Sequence, residues 1–225
     1  MSGVVKYWLT RAGELVSPGM IRSLDATADY LEVGRWMRAN GYDTTRRVKR
    51  REQLFDIVAD QVAQHDVLYM EFGVYRGATT RYWSRLLHNP RSKLHGFDSF
   101  EGLPESWLPQ RPKSHFSLQG QVPQIDDSRI QFFQGRFEQT LPSYRFPAHD
   151  VLVLNFDADL YSSTIFVLNT LERAIVPGTY IYFDEFNHRF HELRAFAEFS
   201  ERTGMRCSLL GATPCLAHVL FQRIA

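Results

Sequence analysis

Cysteine is nearly missing from this chain: 225 residues contain only Cys207 and Cys215. Two thiols cannot frame a small disulfide-stapled fold, so stability has to come from a packed core. Free buried thiols in a reducing cytoplasm are the expectation, with a bridge across a terminal hairpin as the alternative. Long apolar runs are also missing. Nothing approaches the ~20 residues that span a bilayer, and the opening MSGVVKYWLT is too short an apolar stretch for a signal peptide. Charge of one sign is not in excess: 26 Lys and Arg face 25 Asp and Glu, a net charge of +1. That balance gives no argument for nucleic acid or an anionic membrane as partner. Internal repeats and low-complexity tracts are lacking. The nucleophile elbow GxSxG, the redox pair CxxC, the phosphate-binding P-loop and the dinucleotide fingerprint GxGxxG do not occur.

What is present is a strand, a glycine turn and a helix. Val67–Met70 is short, apolar and strand-like; Glu71–Gly77, EFGVYRG, is the turn; Ala78–Leu87 has helical character. Such a unit opens a nucleotide-binding α/β sheet. Its glycines are spaced G-x-x-x-G, without the middle glycine that admits a diphosphate against the backbone. The strand ends instead in Glu71. A carboxylate there repels a diphosphate and attracts an ammonium or a hydroxyl. The combination suits S-adenosylmethionine, which carries adenosine, an ammonium and a sulfonium but no phosphate.

Further strands are expected at Lys93–Phe97, Arg129–Gln134, Asp150–Phe156, Thr179–Phe183, Arg206–Leu210 and Leu216–Phe221. Helices are expected at Leu24–Asn40, at Thr45–Gln64, from Tyr161 to about Ile175, and at Phe190–Arg202. Residues 1–65 carry no strong strand signal and read as a helical lid or extension, and residues 66–225 as the sheet domain. The basic run Arg46–Arg51 is either a solvated helix face or a grip on an anion. Leu103–Gln124, with four prolines, reads as a mobile flap over a site. Strands alternating with helices imply an α/β fold, a mainly parallel sheet covered on both faces.

In such sheets ligands bind beyond the carboxyl ends of the strands. Four of the expected strands end in acid: Glu71, Asp98, Asp157 and Asp184. Asp98 lies 27 residues after Glu71, one strand–helix–strand unit, where an acid accepts hydrogen bonds from ribose hydroxyls; alternatively it caps the turn Ser99–Gly102. Asp157 with Asp159, and Asp184 with Glu185, are doubled. If their strands are neighbours, Asp157, Asp184 and Glu185 converge, and a hard divalent cation such as Mg²⁺ relieves their repulsion. The alternative is helix capping and ion pairing. Asp157, Asp159 and, less favourably, His188 or His191 are the candidate proton acceptors.

EFGVYRGATT, FDSFEGLPE, GRFEQTLP, DADLYSST and PGTYIYFDEF occur in that order from Glu71 to about Phe199. Together they resemble the macrocin O-methyltransferase (TylF-like) branch of class I S-adenosylmethionine-dependent methyltransferases. The resemblance implies a seven-stranded Rossmann-like sheet and methyl transfer to a hydroxyl of a sugar or other small molecule, with Mg²⁺ needed by several members. It implies that Glu71, Gly73, Tyr75, Gly77 and Thr79 line the methionine and ribose side of the cofactor. Asp98 and Ser99 hold the ribose, Gly135, Arg136 and Phe137 flank the adenine, and Asp157, Asp184 and Glu185 hold the metal. Glu185 departs from the pattern, since many members carry a second Asp there. A homodimer built through the N-terminal helices is a further expectation. The competing readings are a binding module without activity and a nicotinamide-dependent oxidoreductase; the missing glycine and the doubled acids speak against the second.

Overall fold

The computed structural model describes residues 1–107 and 110–225; Leu108 and Pro109, within the expected flap, lie outside the described residues. Seven strands form one sheet: β1 (Val67–Phe72), β2 (Lys93–Asp98), β3 (Ile130–Gln134), β4 (Val151–Phe156), β5 (Tyr180–Phe183), β6 (Cys207–Ala212) and β7 (Val219–Arg223). Their order is β3-β2-β1-β4-β5-β7-β6. The first five run parallel, and β7 is antiparallel to both β5 and β6. The expected α/β architecture is therefore present, with the terminal strand pair closing one edge.

β1 is buried at all six positions because it sits between β2 and β4 with helices on both faces, as parallel strands require. It continues through Glu71 and Phe72, two residues past the run that apolar content alone marked, since pairing with Asn155 and Phe156 on β4 holds the acid in the ladder. The point where the strand order reverses lies between β1 and β4, so their carboxyl ends open the crevice.

The helices are α1 (Gly3–Gly13), α2 (Pro18–Ala39), α3 (Glu52–Val62), α4 (Ala78–Leu86), the single turn α5 (Phe137–Thr140), α6 (Tyr161–Leu171) and α7 (Glu192–Thr203). One core layer joins Val33 and Met37 of α2 with α6, α7 and one face of the sheet. The other joins Leu54, Phe55, Val58 and Val62 of α3 with Trp83 of α4 and the opposite face. Phe183, Phe186, Phe196 and Phe221 pack ring on ring in the first layer. Among the described residues no helix is long and apolar enough to cross a membrane.

Two departures have clear causes. α2 starts at Pro18, earlier than Leu24, because Ser17 caps it by accepting a hydrogen bond from Met20 N and Pro18 fits the first turn. The segment 42–51 is not helical. Val48 donates to the Ala212 carbonyl (2.9 Å) and Ala212 donates to Arg46 (3.2 Å), so the basic run lies along β6. Gln53 Oε1 then accepts from Lys49 N and Arg50 N and starts α3. Both cysteines are free; Cys207 is half-buried, but Cys215, expected to be buried, is exposed on the turn before β7.

Candidate active site

The crevice at the switch point is a cavity of about 360 Å³. One end is bounded by Gly73, Tyr75, Asp98, Ser99, Gly135, Arg136 and Phe137; the other by Asp157, Asp159, Asp184 and Glu185. Of the sequence candidates, these eleven face the cavity, while Glu71, Gly77, Thr79, His188 and His191 do not.

Close backbone contact shapes the first end. Gly73 has φ +93°, and a Cβ there would stand 1.9 Å from the Asp157 carbonyl oxygen, so the β1 turn and the β4 tip touch. Tyr75 at φ 50° and Asp159 at φ 60° hold left-handed backbone without being glycine, a strain common at ligand sites. Asp98 organises the turn. Its Oδ2 accepts from Val74 N and Tyr75 N, both at 2.8 Å, and its Oδ1 accepts from Phe100 N at 2.7 Å. Asp98 thus both caps the Ser99 turn and knots the glycine turn, while still lining the cavity.

Glu71 lies beneath the floor and is 1% exposed. Thr80 Oγ1 donates to it at 2.5 Å. Burial pushes its carboxyl up to about 8, against the hydrogen bonds of Thr80 and Tyr69. The folded value exceeds the unfolded one, so the folded state binds the extra proton between the two. Stability from that proton is complete below the ordinary carboxylate value and lost as pH rises through about 8. Glu71→Gln keeps an acceptor for Thr80 and removes the titration. Its unfolding midpoint relative to the parent chain is expected to climb steadily from pH 5 to pH 9, by a stability difference of a few (~2–4) kcal/mol at the top. A difference flat with pH in chemical denaturation would refute this.

At the second end the carboxylates have unequal partners. Asp184 Oδ1 accepts from Arg51 Nη1 (2.8 Å) and from the Tyr182 hydroxyl (2.6 Å), and His218 Nδ1 stands 3.3 Å away. Burial opposes its charge, but His218, Arg51 and Tyr182 together hold the Asp184 carboxyl down at about 2. Asp157 has no such support: burial, then Asp184 and Asp159, push it well above the usual range. Asp159 is pushed up to about 7 by burial and by Glu185, with Arg111 pulling the other way. Glu185 is raised by burial and by Asp184. Beneath them Glu192, wholly buried, accepts from Glu185 N at 2.9 Å and leaves its Oε1 without a partner among the described residues.

His188 stands behind this wall. It packs edge-on to Trp107 with ring centres 5.3 Å apart, and its Nε2 lies 3.7 Å from Glu185. From the expected flap, Leu103, Pro104, Arg111 and Phe116 line the cavity, and Arg111 stacks over Trp107 at 4.4 Å. Arg51, His218, Arg111 and Glu192 were missed by sequence reasoning. Only the basic run hinted at Arg51, and nothing in it names Asp184 as the partner.

The donor chemistry suits the two groups expected here. Acids and aromatic faces, with no phosphate-cradling glycine set, fit an adenosyl group bearing positive charge. Four carboxylates on one wall, of which Asp157, Asp159 and Glu185 accept no hydrogen bond among the described residues, offer the hard oxygens a divalent cation takes. They stand apart in this arrangement: no group of three or more His, Cys, Asp or Glu among the described residues is drawn together tightly enough to hold an ion.

A mainly parallel sheet of this strand order, with β7 antiparallel and an acidic rim at the switch point, is the fold of methyltransferases. The family model for macrocin-O-methyltransferase (TylF) matches residues 27–211, and the chain belongs to that family. A curated relative, the 8-demethyl-8-(2,3-dimethoxy-alpha-L-rhamnosyl)-tetracenomycin-C 4'-O-methyltransferase of Streptomyces olivaceus, is 25% identical over 141 residues. That match takes in 52% of this chain and 52% of the relative, so the chain spans about half the length of that protein. Among solved structures, the calicheamicin methyltransferase CalS11 superposes with a TM-score of 0.60 at 20% identity, over 92% of this chain and 93% of its own. The O-methyltransferase NovP superposes with 0.55 at 22% identity, over 78% of each chain. At these identities the two structures speak for the fold.

Proposed function

We propose that this protein transfers the methyl group of S-adenosylmethionine to a hydroxyl of a sugar or other small molecule. The observation that carries the reading is one cavity with an acid-knotted glycine turn at one end and four carboxylates at the other. Asp98 and Ser99 would hold the ribose, Gly135, Arg136 and Phe137 the adenine, and Gly73 and Tyr75 the methionine portion. Glu71, Gly77 and Thr79 would act from beneath, by fixing the turn. When bound, the cofactor supplies a methyl already activated on sulfonium, so the chain's task is alignment and removal of one proton.

Asp159 is the preferred acceptor of that proton. It faces the cavity, accepts no hydrogen bond among the described residues, and its raised value leaves it basic enough near neutrality. Asp157 is the second choice. His188 is the third, since it would have to act around Glu185. Asp157, Asp184 and Glu185 would hold Mg²⁺, which when present would lower the pKa of the acceptor hydroxyl. Segment 103–124 and residues 1–65 would cover the acceptor, and the free thiols fit a cytoplasmic setting.

Calorimetric titration with S-adenosylhomocysteine should saturate with one site, while NADH should give no heat. Labelled methyl transfer onto a panel of sugars and phenols should follow. Binding without any transfer would leave the module reading standing; heat with NADH alone would favour the oxidoreductase.

We further propose that the first two helices pair with a second copy of the chain. α1 buries none of its residues, and Val4, Trp8, Leu15, Leu24 and Leu31 are exposed. An 11-residue helix is marginal without packing, so these apolar faces need a cover. Trp8→Glu with Leu24→Glu is expected to convert a dimer to a monomer in light scattering. An unchanged mass would remove this assembly.

A further inference from the structure

Arg51 brings a positive charge from the N-terminal layer into the acidic wall. The backbone leading to it is pinned to β6 by Val48 and Arg46, and Gln53 fixes the two residues before it. From that anchor the guanidinium meets Asp184 at 2.8 Å. Asp184 is in turn bonded by Tyr182 and approached by His218, so β5 and the residues immediately before β7 and α3 converge on one carboxylate. The partners on the same wall, Asp157, Asp159 and Glu185, have no cation of their own within ion-pair distance among the described residues except the edge of His188. One guanidinium therefore stands where a dication would otherwise be the counter-charge. Its side chain is 30% exposed against 12% for Asp184, so the guanidinium is the wetter partner of the pair.

We propose that Arg51 is an internal competitor for the divalent cation: guanidinium and metal contend for Asp184, and the arginine sets how weakly the metal is held. This rests on the reading of Asp157, Asp184 and Glu185 as the cation's ligands. The physical ground is Coulombic. A guanidinium beside a ligand repels a dication approaching the same oxygens, and in a half-buried wall that repulsion is poorly screened. Metal entry has to turn Arg51 outward or be met by a weakened field.

The test is titration of Mn²⁺, followed by loss of the free-ion electron paramagnetic resonance signal, with S-adenosylhomocysteine affinity measured in parallel. Arg51→Gln is expected to bind Mn²⁺ at least about tenfold more tightly than the parent chain, while Arg51→Lys, which keeps the charge, stays near the parent value. Adding Asp184→Asn to Arg51→Gln should erase the gain. Equal or weaker Mn²⁺ binding in Arg51→Gln, including no binding in either protein, overturns the proposal. If Arg51→Gln folds only with Mn²⁺ present, the ion has replaced the missing charge and the proposal stands. If it folds under neither condition, Arg51 is a structural ion pair and the proposal fails. Failure of the methyltransferase reading would show separately, as absent S-adenosylhomocysteine binding in every variant whatever the order of Mn²⁺ affinities.

Discussion

Gly73→Ala is expected to abolish cofactor binding and to lower stability by about 4 kcal/mol or more, enough to leave little folded protein. Two penalties combine. The residue sits at φ +93°, where a Cβ costs about 1–2 kcal/mol. The added carbon would also stand 1.9 Å from the Asp157 carbonyl oxygen and 2.7 Å from its carbon, both backbone atoms that no rotamer can move. Relief requires parting the ends of β1 and β4, which are locked by Asp157 N donating to the Phe72 carbonyl at 2.9 Å. Gly178→Ala separates the terms. Its φ is +96°, yet its Cβ would meet nothing within 4 Å, so only the backbone cost of about 1 kcal/mol should appear. Thermal unfolding of the two variants side by side decides the matter, and equal losses would mean that contact at the rim is not tight.

The parts of this molecule that were readable from residues are those governed by local pattern. Short apolar runs marked β1, β2, β4 and β5, with β4 the most β-branched, and the acids were visible because they close those runs. The crevice followed from topology, since Asp98, Asp157, Asp184 and Glu185 end strands that point the same way. What stayed hidden depends on pairing between distant segments. Arg46–Arg51 looked like a helix because its flanks have helical spacing, but the hydrogen bonds to Ala212, more than 160 residues on, pull it straight. Glu71 was expected to line the cofactor, and its burial away from the cavity follows from β1 running two residues longer than its apolar stretch. Asp184 looked equivalent to Asp157 in sequence. The arrival of Arg51 and His218 from distant parts of the chain, together with Tyr182, holds the Asp184 carboxyl down at about 2, while burial and the neighbouring Asp184 push Asp157 well above the usual range.

Asp98→Ala is expected to weaken S-adenosylhomocysteine by about a hundredfold or more, with a smaller loss of global stability. The carboxylate accepts three backbone N–H bonds at 2.7–2.8 Å, from Val74, Tyr75 and Phe100. Bonds to a charged acceptor contribute about 1.5–3 kcal/mol each, and removing the acceptor strands donors that are partly hidden from water. Without it, Tyr75 has little reason to stay at φ 50°, and the turn that faces the cavity relaxes. Asp98→Asn is the sharper comparison. If its amide oxygen serves Val74 and Tyr75, its NH₂ points at Phe100 N, a donor facing a donor; turned the other way, two donors face two. The isosteric variant should therefore lose most of the affinity that alanine loses. Calorimetry on both variants, with circular dichroism to confirm a folded sheet, reads the result. Near-parental affinity in Asp98→Asn would mean that the turn holds itself without this charge, and that the cofactor end of the cavity is organised by something other than the β2 acid.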